Sequence, residues 1–504
     1  MSYAGSPTRS QLPPADPSPA PPRFAAGPVA VVLVAAVAAL LATAGRYGYH
    51  RDELYFRVAG RHLDWGYVDQ PPLVPLLGRL TTAVLGDGLT AFRVPAALLT
   101  ALTVLLAALI ARELGGAATG QVLAAVAVAA SPYVLATGHL LHTQTAVLAV
   151  GAAVCWAAVR ALRSADRRWW LVVGALTGVG VYASYLILLL VGVLLVSLLV
   201  TRTFAPLRSP WPWAGAGLAA VLAAPALGWQ VAHGWPQWTM ADRISEGNEG
   251  QWLETLFYQF VLAGPLLFPV AVAGLVGLLR RPGWRPVRAM AVAYPLMLAL
   301  VVLAGGNSYY PGPFLVVLLA AGGVVAADWA ARAVWRRALL ALAVAASVVL
   351  SALFSLPLLP ERVVADSGLD ELNETAAEQI GWPGLVERTA EVYRSLPETD
   401  RARAYVLAWN YGEAGALDRY GAEHGLPRAY SGHNSYLGWG EPEPGRDVVV
   451  AVGVPEEVAR AWFTRCEVKA HVDPGEGVDN EEQGKPIAVC AGPRVPWSEM
   501  AHVS

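Results

Sequence analysis

Residues 47–75 read YGYHRDELYFRVAGRHLDWGYVDQPPLVP, a charged and aromatic stretch between two apolar runs. It holds the carboxylates Asp52, Glu53, Asp64 and Asp69 and, counting the residue just before it, the cations Arg46, Arg51, Arg57 and Arg61. Ionisable groups are costly beside hydrocarbon, so such a cluster at a membrane edge implies a task. An Asp-Glu pair, flanking arginines and a Pro-Pro turn point to chemistry on a charged lipid at the membrane surface.

The membrane follows from composition. The chain of 504 residues is 55% hydrophobic and 15% charged, and its mean hydropathy is +0.45. A soluble domain carries about 25% charged residues. The formal net charge of −2 gives no footprint for nucleic acid. Lysine occurs only at Lys469 and Lys485, and arginine, which suits bidentate phosphate recognition, carries nearly all the positive charge.

Residues 1–27 read as a disordered tail rich in Pro, Ser and Ala. Residues 28–356 read as a membrane domain, at about 20 residues per crossing. Eleven apolar runs fall near 28–45, 94–111, 118–136, 140–159, 169–182, 184–200, 213–230, 256–279, 289–304, 313–331 and 338–356. Splitting 169–200 at Tyr182-Ala-Ser-Tyr185 places the arginine clusters 160–168, 202–208, 280–288 and 332–337 in the cytoplasm, if the N-terminus is also inside. The loop 46–93 then lies outside, yet keeps Arg46, Arg51, Arg57, Arg61, Arg79 and Arg93. Arginine where topology disfavours it implies an anionic ligand; the competing reading is neutralisation by acids such as Asp87.

Beyond residue 356 charge rises and short strands alternate with helices. Strands are expected at 403–409, 447–452, 467–472 and 487–490, and helices at 412–420 and 455–463. Residues 357–504 therefore read as a small extracytoplasmic α/β domain. Cys466 and Cys490 lie in it and can pair on that side of the membrane; Cys155 reads as inert core.

Within the loop, adjacent residues on a helix point about 100° apart, so Asp52 and Glu53 form no face-to-face dyad. One is free for substrate while the other takes a structural partner. Asp52 shares its face with Tyr55, Phe56 and Ala59, and a carboxylate near aromatics can act as a general base. Asp69 precedes Gln70-Pro71-Pro72, which fixes its place. Arg51, Arg57 and Arg61 are candidates to hold a phosphate. The aromatic, polar stretches Trp229–Trp238, with His233 and Trp235, and Asn307–Pro313, with Tyr309 and Tyr310, suit a sugar. No zinc signature such as H-E-x-x-H and no phosphate-binding glycine loop occurs.

Arg51-Asp52-Glu53-Leu54-Tyr55, Tyr67-Val-Asp69-Gln-Pro-Pro-Leu and Arg93-Val-Pro95 together resemble glycosyltransferase family 39, the protein O-mannosyltransferases and the lipid A aminoarabinose transferase. Ser131-Pro132, Trp229–Trp238 and Tyr309-Tyr310-Pro311 extend the resemblance. Asn410-Tyr-Gly-Glu-Ala-Gly-Ala-Leu and Ser431-Gly-His-Asn-Ser-Tyr436 resemble a bacterial branch of it. The resemblance implies a GT-C fold and sugar transfer, with inversion, from a polyprenyl-phosphate donor to a lipid, glycan or protein acceptor outside the membrane. Asp52 matches the acid that acts at the acceptor. Glu53, Tyr55, Arg51, Arg57, Arg61, Asp69, Gln70, His233, Trp235, Tyr309 and Tyr310 are the substrate-binding candidates. Asp69 matches an acid that can hold a divalent metal. Gln70 stands where the aminoarabinose branch has lysine, and His142-Thr-Gln-Thr145 stands where relatives often begin the fourth span with Asp. The alternative is a polytopic transporter or lipid flippase, which would need ionisable residues lining a path through the spans.

Overall fold

A computed structural model describes residues 21–368, 373–475 and 477–502. Most of the expected tail lies outside these residues. Its end does not: residues 21–25 lead into a helix, Ala26–Thr43, that starts inside the expected tail. Among the described residues, six helices are long and apolar enough to cross a membrane: Ala26–Thr43, Leu89–Glu113, Thr143–Arg163, Pro210–Ala232, Gly312–Ala330 and Val334–Ser355. Shorter apolar helices run Trp169–Gly180, Leu186–Val200 and Ala289–Ala304. The turn between the first two of these lies at Tyr182-Ala-Ser-Tyr185, the break read from the sequence.

Two runs expected to be single spans are broken. Ala118–Ala129 and Pro132–His139 meet at 60°, and Trp252–Ala263 and Phe268–Arg280 meet at 98°. The second break has a local cause. Gly264 takes a left-handed φ of +88°, and Pro265 has no N–H to continue the helix. A further helix, Pro236–Gly247, fills part of the loop after Pro210–Ala232.

The C-terminal region forms a five-stranded mixed sheet of β1 (Ala404–Ala408), β2 (Ala429–Ser431), β3 (Val448–Val452), β4 (Phe463–His471) and β5 (Pro486–Pro493). Their order is β2-β1-β3-β5-β4, parallel across β2-β1-β3 and antiparallel across β3-β5-β4. β1 and β3 are buried along their whole length, as parallel central strands of apolar residues should be. Cys466 and Cys490 face each other across β4 and β5 and form a disulfide, while Cys155 is free and buried.

One hydrophobic core crosses the boundary between the parts. Leu54, Tyr55 and Phe56 of the first-loop helix pack in the same cluster as Trp382 and Leu385 and as Val406 and Val450 of the sheet. Gly415 lets the helix Tyr411–Tyr420 approach: a Cβ there would lie 2.8 Å from the Leu54 Cβ and 2.9 Å from its carbonyl carbon. The loop and the C-terminal region thus pack as one unit.

Candidate functional site

The site is built on the helix Arg51–Ala59. His50 caps it. Its Nδ1 accepts from the Asp52 N–H at 3.2 Å, and Glu53 accepts in return from the His50 N–H at 3.0 Å. This reciprocal cap fixes the first turn and sends the two adjacent carboxylates in different directions. Glu53 turns inward and is fully buried. It accepts from Arg93 at 2.7 Å and from the Leu141 N–H at 3.0 Å. Asp52 turns the other way, onto a cavity of about 680 Å³.

Asp52 is met by two donors from distant parts of the chain. Tyr411, at the start of the helix Tyr411–Tyr420, donates its hydroxyl to Oδ1 at 2.7 Å. His142 contacts Oδ2 through Nε2. The His142 Nδ1 accepts from the Gln144 N–H at 3.2 Å, capping the helix Thr143–Arg163. With Nδ1 accepting, Nε2 carries the ring proton and donates it to Asp52. Burial alone would raise the Asp52 carboxyl, but His142, His50 and Arg51 outweigh it and hold the group well below the usual carboxylate range.

Asp69 shares the cavity and is shifted in the opposite direction. Burial, with Asp52 nearby, pushes it up to about 7, against the lowering effect of the Tyr55 hydroxyl, which donates to it at 2.6 Å. Tyr55 in turn is buried beside Asp69 and is raised well above its ordinary value, so it stays a donor. Its ring lies 5.1 Å from Tyr411 and 5.6 Å from Trp439, which ties the first loop to the outer domain.

Of the residues expected at the site, Asp52, Tyr55, Asp69, Gln70, Trp235, Tyr309 and Tyr310 line this cavity. Glu53, Arg51, Arg57, Arg61 and His233 do not. Glu53 is committed to Arg93. Arg51 pairs with Glu481 and lies over the Tyr411 ring at 4.9 Å. Arg57 donates to Asp87 at 2.8 Å and to Asp418 at 3.2 Å, and Arg61 donates to Asp418 at 2.8 Å. Among the described residues, no Arg or Lys lines the cavity. Arg51, Arg57, Arg61 and Arg93 of this loop are thus each paired with an acid, and Arg46 donates to the Pro357 and Leu358 carbonyls. His233 stacks on Trp229 at 4.0 Å and is exposed.

The divalent metal expected at Asp69 finds no protein ligand set. Among the described residues no group of three or more His, Cys, Asp or Glu side chains converges anywhere. Asp69 has the Tyr55 hydroxyl, a donor, as its side-chain partner.

Two side chains that contact the Asp52 carboxylate, His142 and Tyr411, escaped the sequence reading. His142 had a signal, since the family resemblance implies an acid at the start of that span. Tyr411 lies in the quoted Asn410–Leu417 motif, but nothing in that motif says which side chain reaches the loop.

Residues 69–229 match the model of the dolichyl-phosphate-mannose-protein mannosyltransferase family. The crystal structure of ArnT from Cupriavidus metallidurans bound to undecaprenyl phosphate superposes with a TM-score of 0.59 at 17% identity, covering 92% of this chain and 99% of that one. The same protein in its apo state gives 0.60 at 15% identity, covering 95% and 100%. No curated protein matches significantly in sequence. The fold is that of the GT-C glycosyltransferases, in a multi-pass membrane protein with a C-terminal sheet region. The resemblance to glycosyltransferase family 39 is borne out.

Proposed function

We propose that this protein transfers a sugar from a polyprenyl-phosphate donor to an acceptor hydroxyl outside the membrane, with inversion. The observation that carries this reading is an ionised Asp52, fixed by Tyr411 and His142, on a cavity that also runs along apolar helix residues such as Leu188, Leu189, Leu227 and Leu300. One cavity thus offers a carboxylate to the reacting centre and hydrocarbon to a lipid tail. The bound lipid of the ArnT structure supports the same donor class.

The acceptor oxygen attacks the anomeric carbon as the bond from that carbon to the phosphate oxygen breaks. The electron pair leaves with polyprenyl phosphate, and the acceptor proton passes to Asp52. A carboxylate has about four acceptor positions, so two donated hydrogen bonds leave room for the acceptor hydroxyl. Asp52 is a weak base at rest. It becomes sufficient because the hydroxyl acidifies as its oxygen bonds to carbon. Polyprenyl phosphate leaves without needing a proton, so one carboxylate serves where glycoside hydrolysis uses two. Thr143 and Gln144 of the first turn of Thr143–Arg163 line the cavity, and the positive end of that helix takes on part of the role expected of arginines.

Orientation follows the same reading. The C-terminal region packs on the first loop and carries a disulfide, which supports placing both on the oxidising, extracytoplasmic side. The test is turnover by purified protein of undecaprenyl-phosphate donors carrying labelled sugars, with lipid, glycan and peptide acceptors. Release of undecaprenyl phosphate in step with a labelled product of inverted configuration is expected. A donor panel left intact with every acceptor would overturn the reading.

A further inference from the structure

We infer that a second cavity holds an acidic group of the acceptor, a carboxylate or a phosphodiester, on Arg428 and the Tyr436 hydroxyl. This rests on the transferase reading above and narrows the acceptor.

This cavity has a volume of about 300 Å³, at the small end of ligand pockets. The first loop lines it with Arg61 and His62, and the C-terminal region with Asp418, Arg428, Tyr436 and Trp439. Among the described residues no membrane helix lines it, so its ligand comes from the aqueous side. Packed rings divide it from the reaction cavity. Trp439 lies 5.6 Å from Tyr55, which lines the reaction cavity, and 4.9 Å from Tyr436. The helix Arg51–Ala59 runs past both, with Asp52 at the reaction cavity and Val58 at the second. The rise from Asp52 to Val58 is roughly 9 Å. An acceptor of that reach sets its hydroxyl at Asp52 and its acidic group here.

The charges decide the ligand. Asp418 is already engaged: Arg61 donates to it at 2.8 Å and Arg57 at 3.2 Å, and Arg57 also donates to Asp87. Arg428 has a carbonyl and a ring as partners, the Trp439 oxygen at 2.6 Å and Tyr430 at 5.3 Å, and no acid among the described residues. Gly440 makes room for it, since a Cβ there would lie 3.3 Å from both of its terminal nitrogens. Arg57, Arg61 and Arg428 thus exceed Asp87 and Asp418 by one charge. His62 feels the excess: after burial, Arg428 and Arg61 lower its pKa, with Asp418 opposing. A guanidinium fixed in this way, with donors left over, is prepared for an oxyanion. Tyr436 supplies the second contact. It is 7% exposed, and its hydroxyl has no hydrogen-bond partner. Burial raises it well above its ordinary value, so it stays a donor. Buried polar atoms are nearly always paired, so this hydroxyl marks a place for an acceptor oxygen. One surplus cation and one neutral donor match a monoanion, whereas a phosphomonoester carries about −1.5 to −2.

The experiment measures dissociation constants by ligand-observed NMR for the full-length protein in uncharged detergent micelles. The probes are a methyl glucuronide, a glycerophosphodiester, the neutral methyl glucoside and inorganic phosphate. At least one of the two acidic probes should bind about tenfold or more tighter than the glucoside, the worth of a charge-assisted hydrogen bond. Which of them does so tells carboxylate from phosphodiester. The preference should vanish in Arg428→Gln and shrink about threefold in Tyr436→Phe. Tyr436→Phe removes an unpaired hydroxyl and leaves the ring packed, so it should melt no lower than the parent, which separates lost binding from misfolding. A glucoside bound as tightly as both acidic probes, or a preference untouched in both variants, would overturn the inference. Inorganic phosphate bound as tightly as the acidic probes would make this a site for a small ion and overturn the assignment to the acceptor. Acid-selective binding that Arg428→Gln abolishes, in a protein that turns over no donor, would instead defeat the transferase reading and leave the anion site standing. Inverting transfer to neutral acceptors alone would do the reverse.

Discussion

Asp52 takes its state from residues far away in sequence. Its partners His142 and Tyr411 lie 90 and 359 positions on. Helix geometry alone predicts that Asp52 and Glu53 diverge, and they do. The identity of the residues waiting on each side is a tertiary fact that no local pattern carries. The arginines teach the same lesson. Asp87 is close enough in sequence to be weighed as a partner for Arg57, but Asp418 and Glu481 are not, and they take up charges that otherwise look free for a ligand. The cap residue His50 gives a pH prediction. Burial lowers it to about 4, despite the opposing pull of Asp52, and the His142 ring sits 5.9 Å away. An unfolded histidine titrates near 6.5. The unfolded chain therefore binds the extra proton between those values, and stability is full above about pH 6.5 and falls as pH drops toward 4. The loss amounts to up to about 3 kcal/mol from this residue. His433, lowered to about 3 chiefly by burial, adds to the same slope. His50→Asn keeps a capping side chain. It should melt with a visibly flatter dependence between pH 6.5 and 4.5; an unchanged slope would show that His50 is not a source of it.

The decisive contact between elements is helix on helix, Arg51–Ala59 against Tyr411–Tyr420, at Leu54 and Gly415. It puts the Tyr411 hydroxyl on Asp52, so the packing distance there sets the geometry of the site. Gly415→Leu would overfill that contact. The stability cost should be about 1–3 kcal/mol. The transfer rate should fall by more than that loss accounts for, because the Tyr411 hydroxyl withdraws while the membrane helices stay folded. Measuring melting temperature and donor turnover on the same preparation checks this; a variant with full turnover would show that the outer domain does not shape the site. Elements were mostly legible in the sequence. Apolar runs and strand-like alternation located most of the apolar helices and β1, β3, β4 and β5, because burial sets both patterns, but not Pro236–Gly247 or Trp382–Arg394. The 98° break had a signal in Gly264-Pro265. β2 spans only three residues, too short for any period to show.

At the scale of the whole molecule, the first loop and the α/β domain close over one cavity, and membrane helices supply its apolar side. Membrane character was legible because composition fixes it, and the GT-C fold was implied by the resemblance of the first-loop motifs. The cavity lining was not, since it draws on residues from Asp52 to Asn434. The central claim is that neighbouring carboxylates do separate jobs, chemistry at Asp52 and architecture at Glu53. The most direct measurement compares Asp52→Asn with Glu53→Gln for donor turnover and thermal unfolding. Asp52→Asn should lose about 10²–10⁴-fold in turnover, the range of a positioned general base, and melt like the parent. Glu53→Gln should instead lose about 3 kcal/mol of stability, because it leaves buried Arg93 without its counter-charge. Full turnover by Asp52→Asn would contradict the account.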